Sequence, residues 1–322
     1  MDQHKLSQLE SFYTLFLQNN SYTMSELMVS LRCNEDELHQ WLDELEAMGL
    51  EFAKSNESVV LISKVEPLNA KQIQAQLSKW AIKKPLNFFF STSSTNKRAQ
   101  QSHKPSYFIT DHQCSGRGRG AKKWLSPLGQ CLAFSLTHQF DKGLAQISGL
   151  NIAIGVAIID TFKHFNDYRF GLKWPNDVLS EAGKVAGILI EVSGNSRQCT
   201  AVIGIGLNWC LSSDHLSRIK QKSTNAQIDG VSRSQFLCRL IVEIERTLFD
   251  FSQQQLNGIL DRWDQNDLLK GQSVRIKQAK NDYQADYIGI DSRGCLLAKR
   301  NNRSITLASG EVSLRDYFVK LR

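Results

Sequence analysis

The sequence lacks any uninterrupted apolar run near the roughly 20 residues that a membrane-spanning helix needs. Its longest, such as Ile152 to Ile159, fall far short, and no span is expected. The opening MDQHKLSQLE has no basic start, apolar stretch or small-residue cleavage site, so a secretory signal is not expected and the chain should stay where it is made. No pair among the seven cysteines has the C-x-x-C spacing. Neither a zinc site nor a disulfide framework is indicated, and a reducing cytoplasm fits. Internal repeats and low-complexity segments are absent as well. Cations are scarce at the start: residues 1–66 hold four (Lys5, Arg32, Lys54, Lys64) against 12 Asp and Glu, a balance of −8 in a chain whose total is +7. The remainder carries +15, an excess that suits phosphate-bearing small molecules as readily as nucleic acid.

What is present reads as three parts. Within 1–66, HKLSQLESFYTLFLQN, TMSELMVSLR and NEDELHQWLDELEAMG read as helices, followed by a strand-like EFAKSNESVVLIS. Leu38, Trp41, Leu42 and Leu45 recur at helical spacing, with Asn34 as N-cap and Gly49 as the stop. Three helices and a hairpin suggest a winged helix-turn-helix, and a small helical oligomerisation or docking unit fits the same pattern. Glu66-Pro67 marks a boundary, since the residue before proline is pushed away from helix. From 67 to 268, helices (NAKQIQAQLSKWA, SQFLCRLIVEIERTLFDFSQQ) alternate with strand-like SYFIT, CLAFSLT, AGILIEV and TAVIGIGLNW, the pattern of an α/β or α+β domain. Residues 269–322, with QSVRIKQ, DYQADYIGID, GCLLAKR and RSITLASGEVSLR, read as a small all-β barrel.

Three stretches carry chemistry. In Gln113-Cys-Ser-Gly116-Arg117-Gly118-Arg119-Gly120-Ala-Lys122-Lys123-Trp124 the glycines at alternate positions let backbone approach a ligand, and the four cations suit a polyanion. The loop is neither a G-x-x-x-x-G-K-S/T nor a G-x-G-x-x-G motif, and a solvated basic loop is the plainer alternative. Lys173-Trp-Pro-Asn176-Asp177 ends a strand, and Lys184 enters the apolar KVAGILIEV. A lysine there calls for an anion or snorkels at the strand end. Asp177 is a candidate magnesium ligand through water, or an ordinary turn aspartate. In AVIGIGLNW, Gly204 and Gly206 share a face where a flat ring could approach or a bulge could form, and Asn208 offers an amide to a base edge.

In order and spacing, over about 230 residues, Ser94-Thr95-Asn96, the GRGR loop with Trp124, KWPND, KVAGILIE, GIGLN and the terminal GEVSLR resemble the bacterial biotin protein ligases, of the three-domain type that doubles as biotin operon repressor. The resemblance implies an α+β fold: an N-terminal winged helix-turn-helix, a central mixed β-sheet with helices on one side, and a C-terminal SH3-like β-barrel. It implies activation of biotin by ATP, with Mg²⁺, to biotinyl-5′-AMP, and transfer to a lysine of the biotin carboxyl carrier protein of acetyl-CoA carboxylase. Biotin would lie against Ser94, Thr95, Asn96, Gln113, Arg117, Gly118, Arg119 and Lys184, and ATP against Arg119, Lys122, Trp124, Asn176, Asp177 and Asn208. Lys184, Arg119 and Arg117 would carry the catalysis, and Asp177 the metal. The loop would close over the adenylate, which water would otherwise hydrolyse. Gly120-Ala121 and Ser93 depart from the family's Arg-Gly and Asp. A lipoate ligase on the related fold is the competing enzyme; that family lacks a basic GRGR loop before a tryptophan.

The resemblance also implies a homodimer on adenylate binding that holds operator DNA. The residues argue otherwise. From Cys33 to Ala53 there are seven acids (Glu35, Asp36, Glu37, Asp43, Glu44, Glu46, Glu51) and no Lys or Arg, whereas phosphate neutralisation supplies most DNA affinity. Operator binding is expected to be lost or much weakened.

Overall fold

The computed structural model describes residues 3–277, 282–308 and 313–315. The chain opens with helices α1 (Gln3–Gln18), α2 (Met24–Leu31) and α3 (Glu35–Ala47). A three-stranded antiparallel sheet goes with them, built of β1 (Ser21–Thr23), β2 (Phe52–Lys54) and β3 (Ser58–Leu61) in the order β1-β3-β2. Both α2 and α3 begin in capping boxes, Thr23 with Glu26 and Asn34 with Glu37, which satisfy N–H groups that a first turn leaves free. Leu38, Trp41, Leu42 and Leu45 all face a core shared with Phe12, Phe16 and Val59, so the spacing seen in the sequence is the buried stripe of α3. The acids occupy the other side. Strand β1, three residues long, is too short for its periodicity to be read.

The central part follows as α4 (Ala70–Lys79), β4 (Leu86–Thr92), α5 (Thr95–Gln100), β5 (Tyr107–Gln113), β6 (Cys131–Phe140), α6 (Leu150–His164), β7 (Gly171–Lys173), β8 (Asp177–Ser180), β9 (Gly183–Gly194), β10 (Cys199–Asn208), α7 (Ser213–Arg218), α8 (Arg233–Gln254) and α9 (Leu260–Asn266). The seven strands form one mixed sheet in the order β4-β5-β6-β10-β9-β8-β7, with β4 and β5 parallel and the other pairs antiparallel. Successive side chains go to opposite faces: Tyr107 and Ile109 join the core beneath the long helices, whereas Phe108 packs with Ala99 of α5 and Val202. The helical layer α4, α6 and α8 therefore covers one face, and the short α5 sits on the other, where it frames the cleft described below.

Helix α6 contains the apolar run Ile152 to Ile159. By length and composition alone, 144–164 could cross a membrane, with a mean hydropathy of 1.5, but 67% of that window is buried within the protein. The regular helix has 15 residues, about 22 Å at 1.5 Å per residue, and packs against α8, α9 and the sheet. It is a core helix.

Strands β11 (Ser273–Lys277), β12 (Asp282–Ile290), β13 (Leu296–Arg300), β14 (Arg303–Leu307) and β15 (Ser313–Arg315) make a five-stranded antiparallel sheet in the order β14-β13-β12-β11-β15. Its alternate residues Val274, Ile276, Ala285, Tyr287, Leu296 and Ala298 enter the same core as the central sheet. The buried Asp267 fastens the two together, accepting from Trp263 Nε1 at 3.1 Å and Tyr287 Oη at 2.6 Å. Of the GEVSLR motif, Gly310, Glu311 and Val312 lie outside the described residues.

Candidate active site

On the sheet face opposite the long helices, β5, β9, β10, the start of α5 and the glycine-arginine loop line a cleft. One end is neutral and polar. Thr95 N donates to Gln113 Oε1 at 2.9 Å, and Thr95 Oγ1 lies 3.3 Å from the same oxygen. Ser135 Oγ on β6 is 2.7 Å from Thr95 Oγ1 and 2.6 Å from Asn96 Oδ1. Asn96 Nδ2 donates to Glu191 Oε2 at 2.9 Å, and the other carboxylate oxygen takes Arg117 Nη2 at 2.8 Å. Ser94 lines this end as the N-cap residue of α5, its side chain making no cap hydrogen bond. Between the ends Leu189 supplies the apolar wall; Phe134, Ile188 and Ile205 also border the cleft, but their side chains are buried in the core under the long helices.

The other end is cationic. Lys184 Nζ is 2.6 Å from Asp177 Oδ1, and Lys173 Nζ is 3.7 Å from Asp177 Oδ2. Burial pushes the Asp177 carboxyl up, but Lys184, Lys173 and Lys122 more than offset it and leave the group below its ordinary value. It stays a carboxylate and fixes the lysines. Burial lowers the Arg119 guanidinium, countered in part by Asp177. Gly118 and Arg119 line the cleft, while Lys122 contributes charge from beside it. The loop is a small hairpin: Gly118 N donates to Lys122 O at 2.7 Å and Trp124 N to Gly116 O at 2.9 Å. Gly120, at φ +65°, turns its tip.

Gly187 and Gly206 are cross-strand partners, and the Trp124 indole rests on both. A Cβ at Gly206 would stand 2.4 Å from the indole and one at Gly187 3.1 Å from it. The flat ring that approaches these glycines is thus the chain's own. Gly204 makes room for Asn96, whose Oδ1 would be 2.0 Å from a Cβ there. Lys184 Nζ lies 5.5 Å from the Trp124 ring centroid, a cation–π contact.

Residues 88–208 match the family described as the biotin/lipoate A/B protein ligase family. This stretch is a biotin/lipoate ligase family domain. It is 29% identical over 259 residues to the bifunctional ligase/repressor BirA of Escherichia coli, spanning 78% of this chain and 79% of that protein. It is 25% identical over 313 residues to the protein of the same name from Bacillus subtilis, spanning 93% and 96%. The biotin protein ligase of Aquifex aeolicus, solved in complex with biotin and ATP, superposes with a TM-score of 0.62 at 25% identity, covering 72% of this chain and 99% of that one.

Most of the residues expected from the sequence line this cleft, with exceptions. Asn176 lines it, but its Nδ2 is spent on Ile188 O at 2.8 Å. Asn208 is buried behind it: Nδ2 donates to Thr224 O at 3.2 Å and Lys184 O at 3.4 Å, and Oδ1 has no partner. Asp177 does not fit a resident magnesium ion. Ammonium groups occupy it, and no cluster of three His, Cys, Asp or Glu exists among the described residues. Three contributors were missed. Glu191 and Lys173 stood inside quoted motifs without a role, and Ser135 lay in a strand with no local signal.

Proposed function

We propose that the chain activates biotin with ATP to biotinyl-5′-AMP and transfers the biotinyl group to a lysine of the biotin carboxyl carrier protein of acetyl-CoA carboxylase. The observation that carries this reading is the order of chemistry along the cleft: neutral hydroxyls and amides, then apolar wall, then cations. Biotin has that order, with a neutral ureido ring, an aliphatic arm and a carboxylate. Ser94, Thr95 and Gln113 suit the ring, which lipoate lacks. Lys184 and Arg119 would bring the carboxylate beside the α-phosphate and offset the repulsion of two anions. A carboxylate oxygen bonds to the α-phosphorus as the bond to pyrophosphate breaks. The ε-amine of the acceptor then attacks the acyl carbon, AMP leaves and the amine sheds a proton. Magnesium would arrive with the nucleotide's phosphates, its usual ligands. Pyrophosphate exchange driven by biotin and not by lipoate tests the assignment, and equal exchange with both would overturn it.

The parts read as a winged helix-turn-helix (1–66), a ligase domain (67–268) and an SH3-like barrel (269–322). Seven free cysteines are in keeping with a reducing cytoplasm. Within the first part Lys54 is engaged by Glu46 at 2.9 Å and Asp43 at 3.6 Å, and Lys5 by Glu44. Two of its four cations are therefore neutralised by α3 itself, which supports a unit that has lost or weakened operator binding. A homodimer formed on the adenylate is a separate expectation that this leaves intact.

A further inference from the structure

The neutral end of the cleft rests on one charge. Glu191, on β9, stands just outside the cleft lining, and each of its carboxylate oxygens takes one donor: Oε2 accepts from Asn96 Nδ2 at 2.9 Å and Oε1 from Arg117 Nη2 at 2.8 Å. Both partners can only donate there. A carboxylate satisfies the two together, whereas an amide of the same size satisfies one and sets its own N–H groups against the other.

The bond to Asn96 carries inward. Asn96 Nδ2 also lies 3.3 Å from Leu189 O, so acceptors alone face the amide nitrogen and the amide oxygen is turned to Ser135. The Ser135 hydroxyl lies 2.6 Å from Asn96 Oδ1 and 2.7 Å from Thr95 Oγ1. It has one proton for two oxygens, and Asn96 Oδ1 can only accept, which fixes the proton there. The proton of Thr95 then goes to Ser135 Oγ or to Gln113 Oε1 at 3.3 Å. In both arrangements it is spent within the chain. Thr95, which lines the cleft, therefore shows the ligand a lone pair. Ser135 is fully buried, and Thr95 and Asn96 are each 4% exposed, so the order of donors is costly to disturb.

We infer that Glu191 is a positioning residue that sets the hydrogen-bond polarity of this end. By fixing the Asn96 amide it keeps Thr95 an acceptor, so the site favours a ring that brings an N–H to Thr95 over one that brings an oxygen. By holding Arg117 it also ties the base of the glycine-arginine loop to the same wall. The polarity rests on the ligase reading for its ligand; the tie to Arg117 does not.

The test uses the full chain in three variants, with melting curves to establish folding. Glu191→Gln keeps an acceptor for the buried Asn96 and gives up the half-exposed Arg117. Glu191→Ala gives up both, and lets the Asn96 amide turn over and Thr95 point its proton at a ligand. Asp160→Asn removes the charge of an ion pair to Arg262 at 2.6 Å in the helical layer across the sheet, and controls for general loosening. Pyrophosphate exchange is measured with biotin and with the two cyclic-carbamate analogues in which one ureido N–H is replaced by oxygen. The wild type is expected to prefer biotin to at least one analogue by about 10²-fold in kcat/KM, the size that goes with a buried acceptor left facing a lone pair. Glu191→Ala should cut that preference about tenfold and raise the KM for biotin with kcat nearly constant, because Glu191 stands at the far end from the reacting carboxylate. Glu191→Gln should keep the preference, and Asp160→Asn should change neither quantity. Without ligand, tryptic cleavage after Arg117, taken relative to cleavage after Lys123, should rise about threefold in both Glu191 variants, the size of a half-exposed ion pair, and stay constant in Asp160→Asn. An unchanged preference in folded Glu191→Ala, or an equal loss in Glu191→Gln, overturns the polarity assignment; an unchanged cleavage ratio overturns the tie. Wild-type exchange that biotin does not drive would count against the ligase reading, while the cleavage ratio still decides the tie.

Discussion

Operator affinity is where the charge pattern makes its sharpest prediction. Each phosphate contact made by a cation contributes about −0.9 to the slope of log K against log salt, and ordinary DNA-binding proteins make about 6–10 such contacts. In the N-terminal part, Lys5 and Lys54 are held by Glu44, Asp43 and Glu46. That leaves Arg32 and Lys64 outside ion pairs among the described residues. Two contacts give a slope of about −1.8 per unit, so affinity should fall only about tenfold between 50 and 200 mM salt, against 10³- to 10⁵-fold for a typical binder. Lys54→Ala should leave the weak binding unchanged, because that charge is already spent. Asp36→Lys should strengthen it and steepen the slope by about 0.9, at a helix-dipole cost of about 0.3–1 kcal/mol. Gel-shift titrations with the host's biotin-operon control region, biotin and ATP measure both. Nanomolar, sequence-selective retardation at 150 mM salt with a slope of −6 or steeper would refute the reasoning and restore a repressor.

Lys184→Ala is expected to lower pyrophosphate exchange by about 10²-fold or more, since the cleft loses the cation that stands 2.6 Å from Asp177; near-normal exchange would remove Lys184 from the catalytic set. Biotin with ATP should protect Arg117 to Lys123 from trypsin, because closure over the adenylate buries the loop; equal cleavage with and without ligand would sink the lid. Stability should be flat above pH 6.5 and decline toward pH 4. Burial lowers His112 and His138 each from 6.5 to about 4, so the unfolded chain binds protons first as pH falls, at up to about 3 kcal/mol per histidine by pH 4. A melting temperature constant from pH 7 to 4.5 would contradict that.

Local signals were legible in proportion to how local their cause is. Asn34 and Glu37 sit three apart and cap α3 as the spacing requires, and Lys184 at the mouth of an apolar strand does meet an anion. That anion is Asp177, though, and sequence alone reserved both for ligands. Glu191 could not be read, because its value lies in joining Asn96 and Arg117 across 95 and 74 residues. Gln130 is the same kind of case: its buried side chain bonds Gly49, Ser212 and His215, which lie 81 to 85 residues away and meet it only after folding. Gly204 and Gly206 announced a close approach correctly, but a glycine does not say whether the visitor is a ligand or another part of the chain.

The seating of Trp124 on Gly187 and Gly206 constrains how this site can evolve. With the indole in place, any β-carbon at Gly206 collides with it at 2.4 Å, so that glycine has no neutral single step open to it, and one at Gly187 would be crowded at 3.1 Å. Losing Trp124 first frees both positions but uncovers two strands of backbone beside the half-buried Lys184. The three residues form one inherited unit, expected to persist together or to be replaced together.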